Sequence, residues 1–560
     1  MTATDTYLLL RAFCEELARC GLRDAATSPG SRCTPLVLSL VRQPGIRCWS
    51  HLDERGAGFF ALGAAKASGR PVAITCTSGT ATANLTPAVI EARWARVPLV
   101  VLTADRPPEL RDVGAGQTID QLGLYGRAVK WFFEVGVHDA TTERLRWIRT
   151  LACRAYATAL AGPPGPVHLN FPLREPLVTG EALPDDLTGR PGGEPYVIVE
   201  PPTAAPPAHG PGPHPSGRLL VVAGSGTPDP VGLSEFAGRA SIPLLADPLS
   251  GARGGPAAIA HYDLLLRWPE FTAARRPDFV FRVGDLPTSK PMRTWLSELA
   301  DVPQIAFDPE HTWQDPASVV GMRLSSRLPQ PETISVDAGW LESWAGPDAA
   351  VSAALDSALG ERLSEPLVAR VLSRQLGPET TLFVASSMPI RDLETFAPAH
   401  PAGPRVLANR GANGIDGTVA SAFGAAAATG KPTVLLIGDV ALAHDIGSLL
   451  TYRRYRLPLT IVLLNNDGGG IFEFLPVAEQ VDAFEEHVAT PHGLDFAKAA
   501  DLYGCTYARP QSPSELGRMV ARSLDEARTS ILEVVTDRKE NRDLHRRVAA
   551  ATERALAAGR

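Results

Sequence analysis

Long apolar runs are missing from this 560-residue chain. Its most hydrophobic stretches, Val97–Ala104 and Leu457–Leu464, are strand-sized and fall far short of the roughly 18 residues of a membrane span. A basic segment with a cleavage site is missing from Met1–Arg11, so nothing there reads as a secretory signal, and a cytoplasmic location is expected. Cysteine is sparse. The seven residues (Cys14, Cys20, Cys33, Cys48, Cys76, Cys153 and Cys505) are far apart, odd in number and free of CxxC, which gives neither a disulfide framework nor a zinc site. Lysine is sparser still, at Lys66, Lys130, Lys290, Lys431, Lys498 and Lys539, so arginine supplies the other 48 of 54 positive charges. A single Arg beside a motif therefore carries little weight. An excess of positive charge is absent as well: the net charge of −7 gives no footprint for nucleic acid. Apolar residues are not lacking. At 44% hydrophobic and 21% charged the chain has ordinary globular usage, and its length suggests three or four domains at about 150 residues each.

Strand-like apolar runs alternate with helical stretches along most of the chain, the pattern of a parallel sheet with covered faces. In the first block Val72–Thr75 and Leu99–Thr103 are predicted as buried strands, and Glu15–Gly21, Gly56–Ser68 and Asn84–Ala95 as helices. The block closes near Gly165–Pro172, expected as a short strand leading out to the surface. Arg190–Gly217 is packed with Pro and Gly and reads as a connector, with room for a short strand at Tyr196–Val199. A second block begins at Arg218–Gly226 and continues through Ile242–Leu245 and Pro277–Val283. Pro329 to about Ser357 is a second linker region of Pro, acidic residues and helix, and a third block runs from Leu363 to about Asp537, followed by a polar helical tail to Arg560. The expected fold is α/β, with three domains that each hold a central parallel sheet flanked by helices: 1–185, a linker at 186–217, 218–345, a linker or helix at 346–362, and 363–560.

The third block holds the most informative segment. Thr433–Asp439 is a buried strand ending in Gly438-Asp439, and Leu459–Asn465 is another, ending in Asn465-Asn466-Asp467 and three glycines. With a predicted helix at His444–Arg454 between them they form a βαβ unit, so both polar ends emerge at the carboxyl edge where such sheets bind ligands. Asp439 and Asn466 are then spatial neighbours despite 26 intervening residues. A carboxylate, an amide oxygen and a turn carbonyl form the hard, incomplete oxygen shell that Mg²⁺ accepts alongside phosphate. The glycines let backbone approach a diphosphate. In the second block, Val222–Gly226 is half of a dinucleotide loop, but no full GxGxxG follows and a structural remnant is the expected reading.

The Gly-Asp, gap and Asn-Asn arrangement resembles the signature of thiamine-diphosphate enzymes. That resemblance implies a pyrimidine-binding, middle and diphosphate-binding domain order, with Mg²⁺ (Mn²⁺ as an alternative) held by Asp439, Asn466 and the carbonyl of Gly468. It also implies that Glu54, in His51-Leu-Asp-Glu54-Arg, keeps the aminopyrimidine N1′ protonated, and that Gly79 and Asn84 of Thr77–Asn84 belong to the pyrimidine side. The flanking segments Ser28-Pro-Gly-Ser31-Arg32, Ala104-Asp-Arg106-Pro-Pro, Gly114–Gln121, Ser386–Asp392, Asn409–Gly417 and Gly470-Ile471-Phe472 narrow the likeness. They resemble the isochorismate-using 2-succinyl-5-enolpyruvyl-6-hydroxy-3-cyclohexene-1-carboxylate synthase family of menaquinone biosynthesis, from about Cys14 to Asp537. The implied substrates, 2-oxoglutarate and isochorismate, each carry two carboxylates, which suits several guanidinium forks. By the family pattern Ser387, Arg391 and Arg410 hold the distal carboxylate of 2-oxoglutarate. Ser31, Arg32, Arg106, Gln117 and Lys290 face isochorismate, while Ile415, Ile471 and Phe472, with Gly438, line the cofactor. Pro291 stands where some relatives carry a second basic residue, so Lys290 is expected to act alone. The family also implies a homodimer or homotetramer in which Glu54 of one subunit serves the diphosphate site of another.

Three alternatives compete. Another thiamine-diphosphate 2-oxoacid decarboxylase or an acetohydroxyacid synthase would share the cofactor motif but has less use for several arginines. A non-catalytic module would not need Glu54, Asp439 and Asn466 together. A nicotinamide dehydrogenase rests only on Gly224 and Gly226 and lacks an acidic ribose ligand at suitable spacing.

Overall fold

A computed structural model describes residues 2–200, 215–325, 328, 330–400, 402–526 and 528–558. Residues 201–214 of the expected Pro/Gly linker, parts of 326–329 and the last two residues of the tail lie outside the described residues. Three multi-stranded sheets carry the fold, and every strand pairing in them is parallel. The first holds β1 (Asp24–Thr27), β2 (Arg47–Ser50), β3 (Val72–Cys76), β4 (Leu99–Asp105), β5 (Trp131–Glu134) and β6 (Pro166–Pro172), in the order β2-β1-β3-β4-β6-β5. The short β7 (Ser216–Gly217) comes next. The second sheet holds β8 (Leu219–Ala223), β9 (Leu244–Ala246), β10 (Phe279–Val283), β11 (Gln304–Phe307) and β12 (Met322–Leu324), in the order β12-β11-β10-β8-β9, and β13 (Ser335–Val336) pairs with β7. The third holds β14 (Thr381–Val384), β15 (Arg405–Ala408), β16 (Thr433–Gly438), β17 (Leu459–Asn465), β18 (Thr506–Ala508) and β19 (Thr529–Val535), in the order β15-β14-β16-β17-β19-β18.

Covered faces explain the composition of these strands. β3, β4 and β6 are buried at every residue, and β3 and β4 are accordingly near-continuous apolar runs rather than alternating ones. The described residues form two compact units. One is built on β1–β6 and also takes in Asn409–Lys431 and Ala443–Leu457; the other holds the second and third sheets. In the first unit the helix Glu54–Ser68 crosses the helix Thr418–Thr429 with backbones in near contact. A Cβ on Gly63 would lie 1.9 Å from the Ser421 carbonyl oxygen, and one on Gly424 2.0 Å from that of Phe60. Only glycine permits that approach. In the second unit the helix Trp340–Leu359, from the predicted linker region, buries Trp344 against Phe271 and Trp295.

Several local expectations need correction. Pro166–Pro172 is no exit strand: it lies between β4 and β5 with both faces covered, and its polar His168 and Asn170 pair internally. Thr103 donates to Asn170 Oδ1 at 2.8 Å, and its oxygen lies 2.7 Å from His168 Nε2. Tyr196–Val199 forms no strand; side chains take its first two amides instead, Glu16 that of Tyr196 and Cys153 Sγ that of Val197 at 3.4 Å. The helix expected at Asn84–Ala95 is two, Thr80–Asn84 and Thr86–Trp94, because Pro87 restarts it. His444–Arg454 is likewise broken, into the end of Asp439–His444, a 3₁₀ turn at Ile446–Leu449 and Leu450–Tyr455. Buried Asp445 competes there for local donors, accepting from the Ser448 hydroxyl at 2.7 Å and the Ala420 amide at 2.9 Å.

Candidate active site

Parallel strands turn their carboxyl ends to one edge, and the ligand crevice opens where the direction of strand addition reverses. In the first sheet that reversal falls between β1 and β3. The turn after β1 carries Ser31 and Arg32, the turn after β3 carries Gly79, and Asn84 ends the short helix that follows it. Arg106 directly follows β4. Glu54 opens the helix after β2, where the Asp53 carboxylate caps the Arg55 amide at 2.8 Å.

Two of these residues, Gly79 and Arg106, are drawn into one cluster with Ser78 and Gln117. Arg106 donates to the Gln117 carbonyl at 3.1 Å and to Ser78 Oγ, and Gln117 Nε2 donates to the Ser78 carbonyl at 3.0 Å. Gly79 lies beneath Gln117, and a Cβ there would sit 3.0 Å from its Cγ. Arg32 is buried, donates to the Leu173 carbonyl at 2.8 Å and to Glu175 at 3.1 Å, and keeps an unpartnered Nε. Burial lowers the Arg106 pKa first and the charge of Arg32 lowers it further. Two guanidiniums that feel each other's charge, one with a buried N–H to spare, suit a carboxylate. Glu54 is half-buried and faces a dry wall: after burial itself, its charge helps to push the Cys33 thiol up to about 11, and it acts on Cys76 in the same direction. Ser31 and Asn84 are exposed at this edge and no hydrogen bond among the described residues joins their side chains to the Arg106 cluster.

The turn carrying Arg410 belongs to the same unit and is clamped from below. Glu91, 3% exposed, accepts from the Gly411 amide at 2.9 Å and the Ala412 amide at 2.6 Å. Lys66 lies 3.7 Å from Glu91 and donates to Asn409 Oδ1 at 3.0 Å. Backbone on both sides of Arg410 is thereby held. Ile415 is half-buried beyond it.

In the third sheet the reversal falls between β14 and β16. Ser387 follows β14 with φ 74°, a region that costs a non-glycine residue energy and clusters at functional sites. Arg391, one turn into the helix Met388–Phe396, donates to the Ser387 carbonyl at 2.6 Å. Its pKa is lowered by desolvation and then by Arg293, although the residue as a whole is exposed. Lys290 is exposed at the start of the helix Lys290–Glu298, beside a cavity of about 490 Å³ that Arg267 and Trp295 also line. No hydrogen bond among the described residues joins Lys290 to Arg391. Asp263 does connect their elements, accepting from the Ser289 hydroxyl at 2.6 Å and the Thr395 hydroxyl at 3.0 Å. The nearby Gly224 turn has no room for a phosphate: a Cβ on Gly224 would lie 1.8 Å from the Asp285 carbonyl oxygen.

Asp439 and Asn466 come together as their strand ends require, with Gly438 of β16 opposite Leu464 of β17. Asp439, 2% exposed, accepts the Asn466 and Gly468 amides on Oδ2, both at 3.0 Å, and the Val440 amide on Oδ1 at 2.7 Å. His492 Nε2 lies 3.3 Å from the same Oδ2. Gly468 has φ 142°, and a Cβ there would meet the Ala489 carbonyl oxygen at 2.5 Å. The Asn466 amide is oriented by Glu365, whose Oε1 accepts Asn466 Nδ2 at 2.8 Å and the Thr536 hydroxyl at 2.9 Å. Asn466 Oδ1 is left buried and without a partner. An orphaned amide oxygen beside a buried carboxylate fits a hard divalent cation. Ile471 and Phe472 lie in the short turn Gly470–Phe474, half-buried, and Phe472 packs over Gly469, where a Cβ would sit 2.6 Å from its ring.

Sequence reasoning passed over Ser78, Glu91, Asp263, Glu365 and His492. Ser78 lay inside the Thr77–Asn84 turn and was within reach of it. Glu91 and Glu365 stand 320 and 101 residues from the groups they hold, and no local pattern signals such partners.

The fold and the two strand-end sites define a thiamine-diphosphate type of enzyme. Residues 9–124 match the family model for the N-terminal TPP binding domain of thiamine pyrophosphate enzymes, and residues 394–534 the model for the C-terminal TPP binding domain. The 2-succinyl-5-enolpyruvyl-6-hydroxy-3-cyclohexene-1-carboxylate synthase of Geobacillus thermodenitrificans is 42% identical over 96% of this chain and 94% of its own length. Its namesakes in Chloroflexus aurantiacus (41%, over 98% of this chain and 96% of the relative) and Geobacillus kaustophilus (43%, over 96% of each) are similar to the same degree. The chain belongs to this synthase family.

Proposed function

We propose that this protein takes 2-oxoglutarate and isochorismate, releases CO₂ from the first and joins the remaining four-carbon unit to the ring of the second, forming 2-succinyl-5-enolpyruvyl-6-hydroxy-3-cyclohexene-1-carboxylate. The observation that carries the reading is two arginine sites, Arg32, buried with an unpartnered Nε, together with Arg106, and Arg391, folded back on the carbonyl of the strained Ser387 turn, on a chain whose Asp439–Asn466 edge suits a metal-bound diphosphate. A decarboxylase of small monocarboxylic acids has no use for both arginine sites.

Thiamine diphosphate, when bound, supplies the electron sink that lets a 2-oxo acid lose CO₂. Asp439, Asn466 and the Gly468 carbonyl would hold the Mg²⁺ (or Mn²⁺) of its diphosphate, and Glu365 keeps the Asn466 oxygen turned to that ion. Glu54 would hold a proton at the aminopyrimidine N1′. Gly79 and Asn84 would lie on the pyrimidine side of the cofactor and Gly438 on its diphosphate side, and Ile415, Ile471 and Phe472 would exclude water from it. Ser387, Arg391 and Arg410 orient the distal carboxylate of 2-oxoglutarate. Ser31, Arg32, Arg106, Gln117 and Lys290 receive isochorismate. This division of labour uses orientation and charge neutralisation rather than new bonds to the protein. The working form is a homodimer or homotetramer in the cytoplasm; among the described residues no helix is long and apolar enough to cross a membrane.

The test is CO₂ release from 2-oxoglutarate with thiamine diphosphate and Mg²⁺, with and without isochorismate, following the ring product by mass. Product formation that requires both substrates is expected. Turnover of pyruvate in place of 2-oxoglutarate would keep the cofactor and overturn the substrates.

A further inference from the structure

Away from the active-site edge, two helices of the first unit bring a pair of thiols together. Cys20 ends the helix Ala3–Cys20, Cys153 lies within Thr142–Leu160, and their Sγ atoms are 3.6 Å apart. Cys153 is 2% exposed, whereas Cys20 is half-buried and offers the way in. The surroundings of Cys153 Sγ are built rather than incidental. The Val197 amide donates to it at 3.4 Å, the Cys20 thiol donates to it at 3.6 Å, and Glu16 Oε1 stands 3.6 Å away to accept its proton. Glu16 is itself fully buried and fixed by Arg149 at 2.8 Å and by the Tyr196 amide. Donors aimed at a sulfur favour its thiolate, and the Cys153 pKa is accordingly lowered, chiefly by the Cys20 thiol.

We propose that Cys20 and Cys153 form a peroxide-oxidisable dithiol, a modification site that closes reversibly to a disulfide linking the two helices. The Cys153 thiolate attacks one oxygen of hydrogen peroxide and the other departs as water once it has taken up the thiol proton, leaving Cys153 as a sulfenic acid. Cys20 sulfur then attacks the Cys153 sulfur, the S–O bond breaks, and the oxygen leaves as a second water. Two thiols and one peroxide give one disulfide and two waters, with both sulfurs oxidised and both peroxide oxygens reduced. The sulfurs must approach from 3.6 Å to about 2.05 Å. Cys20 is the last helical residue before Gly21, whose φ is 111°, so the approach falls on the helix cap, where the Gly21 and Leu22 amides bond the Ala18 and Leu17 carbonyls at 3.1 and 2.9 Å. The active-site reading plays no part in this inference.

The experiment treats the reduced full-length protein with hydrogen peroxide, blocks remaining thiols with N-ethylmaleimide and digests it with trypsin without reduction. Cleavage after arginine isolates Cys20–Arg23 and Thr150–Arg154. A covalent pair of these two peptides, two hydrogens lighter than their sum and lost on treatment with dithiothreitol, is the expected result. In Cys20→Ser, with its circular dichroism checked against the parent, Cys153 should instead become reactive to dimedone. Recovery of both parent peptides as maleimide adducts at the untreated level would overturn the proposal. So would oxidation of Cys153 to the sulfinic acid with Cys20 still alkylated.

Discussion

Replacing Glu365 by Leu isolates the link between a buried acid and the proposed metal ligand. Glu365 is 1% exposed, and its Oε1 holds Asn466 Nδ2 at 2.8 Å. Removing that acceptor leaves an amide NH₂ buried without a partner, so the Asn466 side chain gains by rotating its oxygen inward or its nitrogen toward another acceptor. Burial pushes the Glu365 carboxyl up to about 7, so the relevant cost is that of a buried donor left without its acceptor, about 1–3 kcal/mol, roughly one to two orders of magnitude in the population of the productive orientation. Groups that orient metal ligands typically cost about 10–100-fold in affinity when lost, and the two estimates agree. Mn²⁺ affinity, read by electron paramagnetic resonance with thiamine diphosphate present, should therefore fall by about that factor in Glu365→Leu. Glu365→Gln keeps an acceptor for Nδ2 and should lose under about tenfold. Parental Mn²⁺ affinity in a Glu365→Leu chain of unchanged circular dichroism would refute the argument. Either Asn466 would then not be a ligand, or its orientation would not depend on Glu365.

Glu91→Leu strips the acceptor from the Gly411 and Ala412 amides. It should raise the KM for 2-oxoglutarate about tenfold or more through Arg410, with a smaller change for isochorismate; equal changes in both would argue against the assignment. His168 is fully buried and its pKa is pushed down to about 3 by burial. As pH falls below about 6.5 the unfolded imidazole gains a proton that the folded one refuses. Its contribution to stability is thus complete above that pH and declines toward pH 3, by up to about 1.4 kcal/mol per pH unit. The stability gap between the parent and His168→Asn, from urea melts, should shrink from pH 7 to pH 4, and a constant gap would contradict this. Chains carrying Glu54→Ala and Asp439→Ala should each be inactive yet regain up to about a quarter of parental activity when mixed and re-annealed, the statistical yield of intact sites. No recovery, with mixed oligomers shown by mass, would remove the shared-site arrangement.

Much of the architecture is legible locally. β3, β4, β16 and β17 sit where apolar, β-branched runs end in polar or glycine residues, because a strand covered on both faces has nowhere to place a charge. The same logic places Asp439 beside Asn466, since a βαβ unit fixes which ends of its strands are neighbours. Arg32, Arg106 and Gln117 were recognised as a set from family-like segments, but the hydrogen bonds through Ser78 that join Arg106 to Gln117 were not. One misjudged element has a cause far away in the chain. Pro166–Pro172 looks like an exit because Pro and Gly flank it, yet its place between β4 and β5 depends on strands far away in the chain.

The sequence by itself determined the parallel α/β class, the strand ends that carry Asp439 and Asn466, and the family to which the chain belongs. These rest on patterns a few residues long: hydrophobic runs, terminal glycines and short polar motifs. Only the tertiary structure decided that Glu365 turns the Asn466 amide, that Glu91 grips the backbone around Arg410, and that Cys20 meets Cys153. Each of those contacts joins residues more than 100 positions apart, and burial gives an acid or a thiol its meaning only once the chain around it has closed.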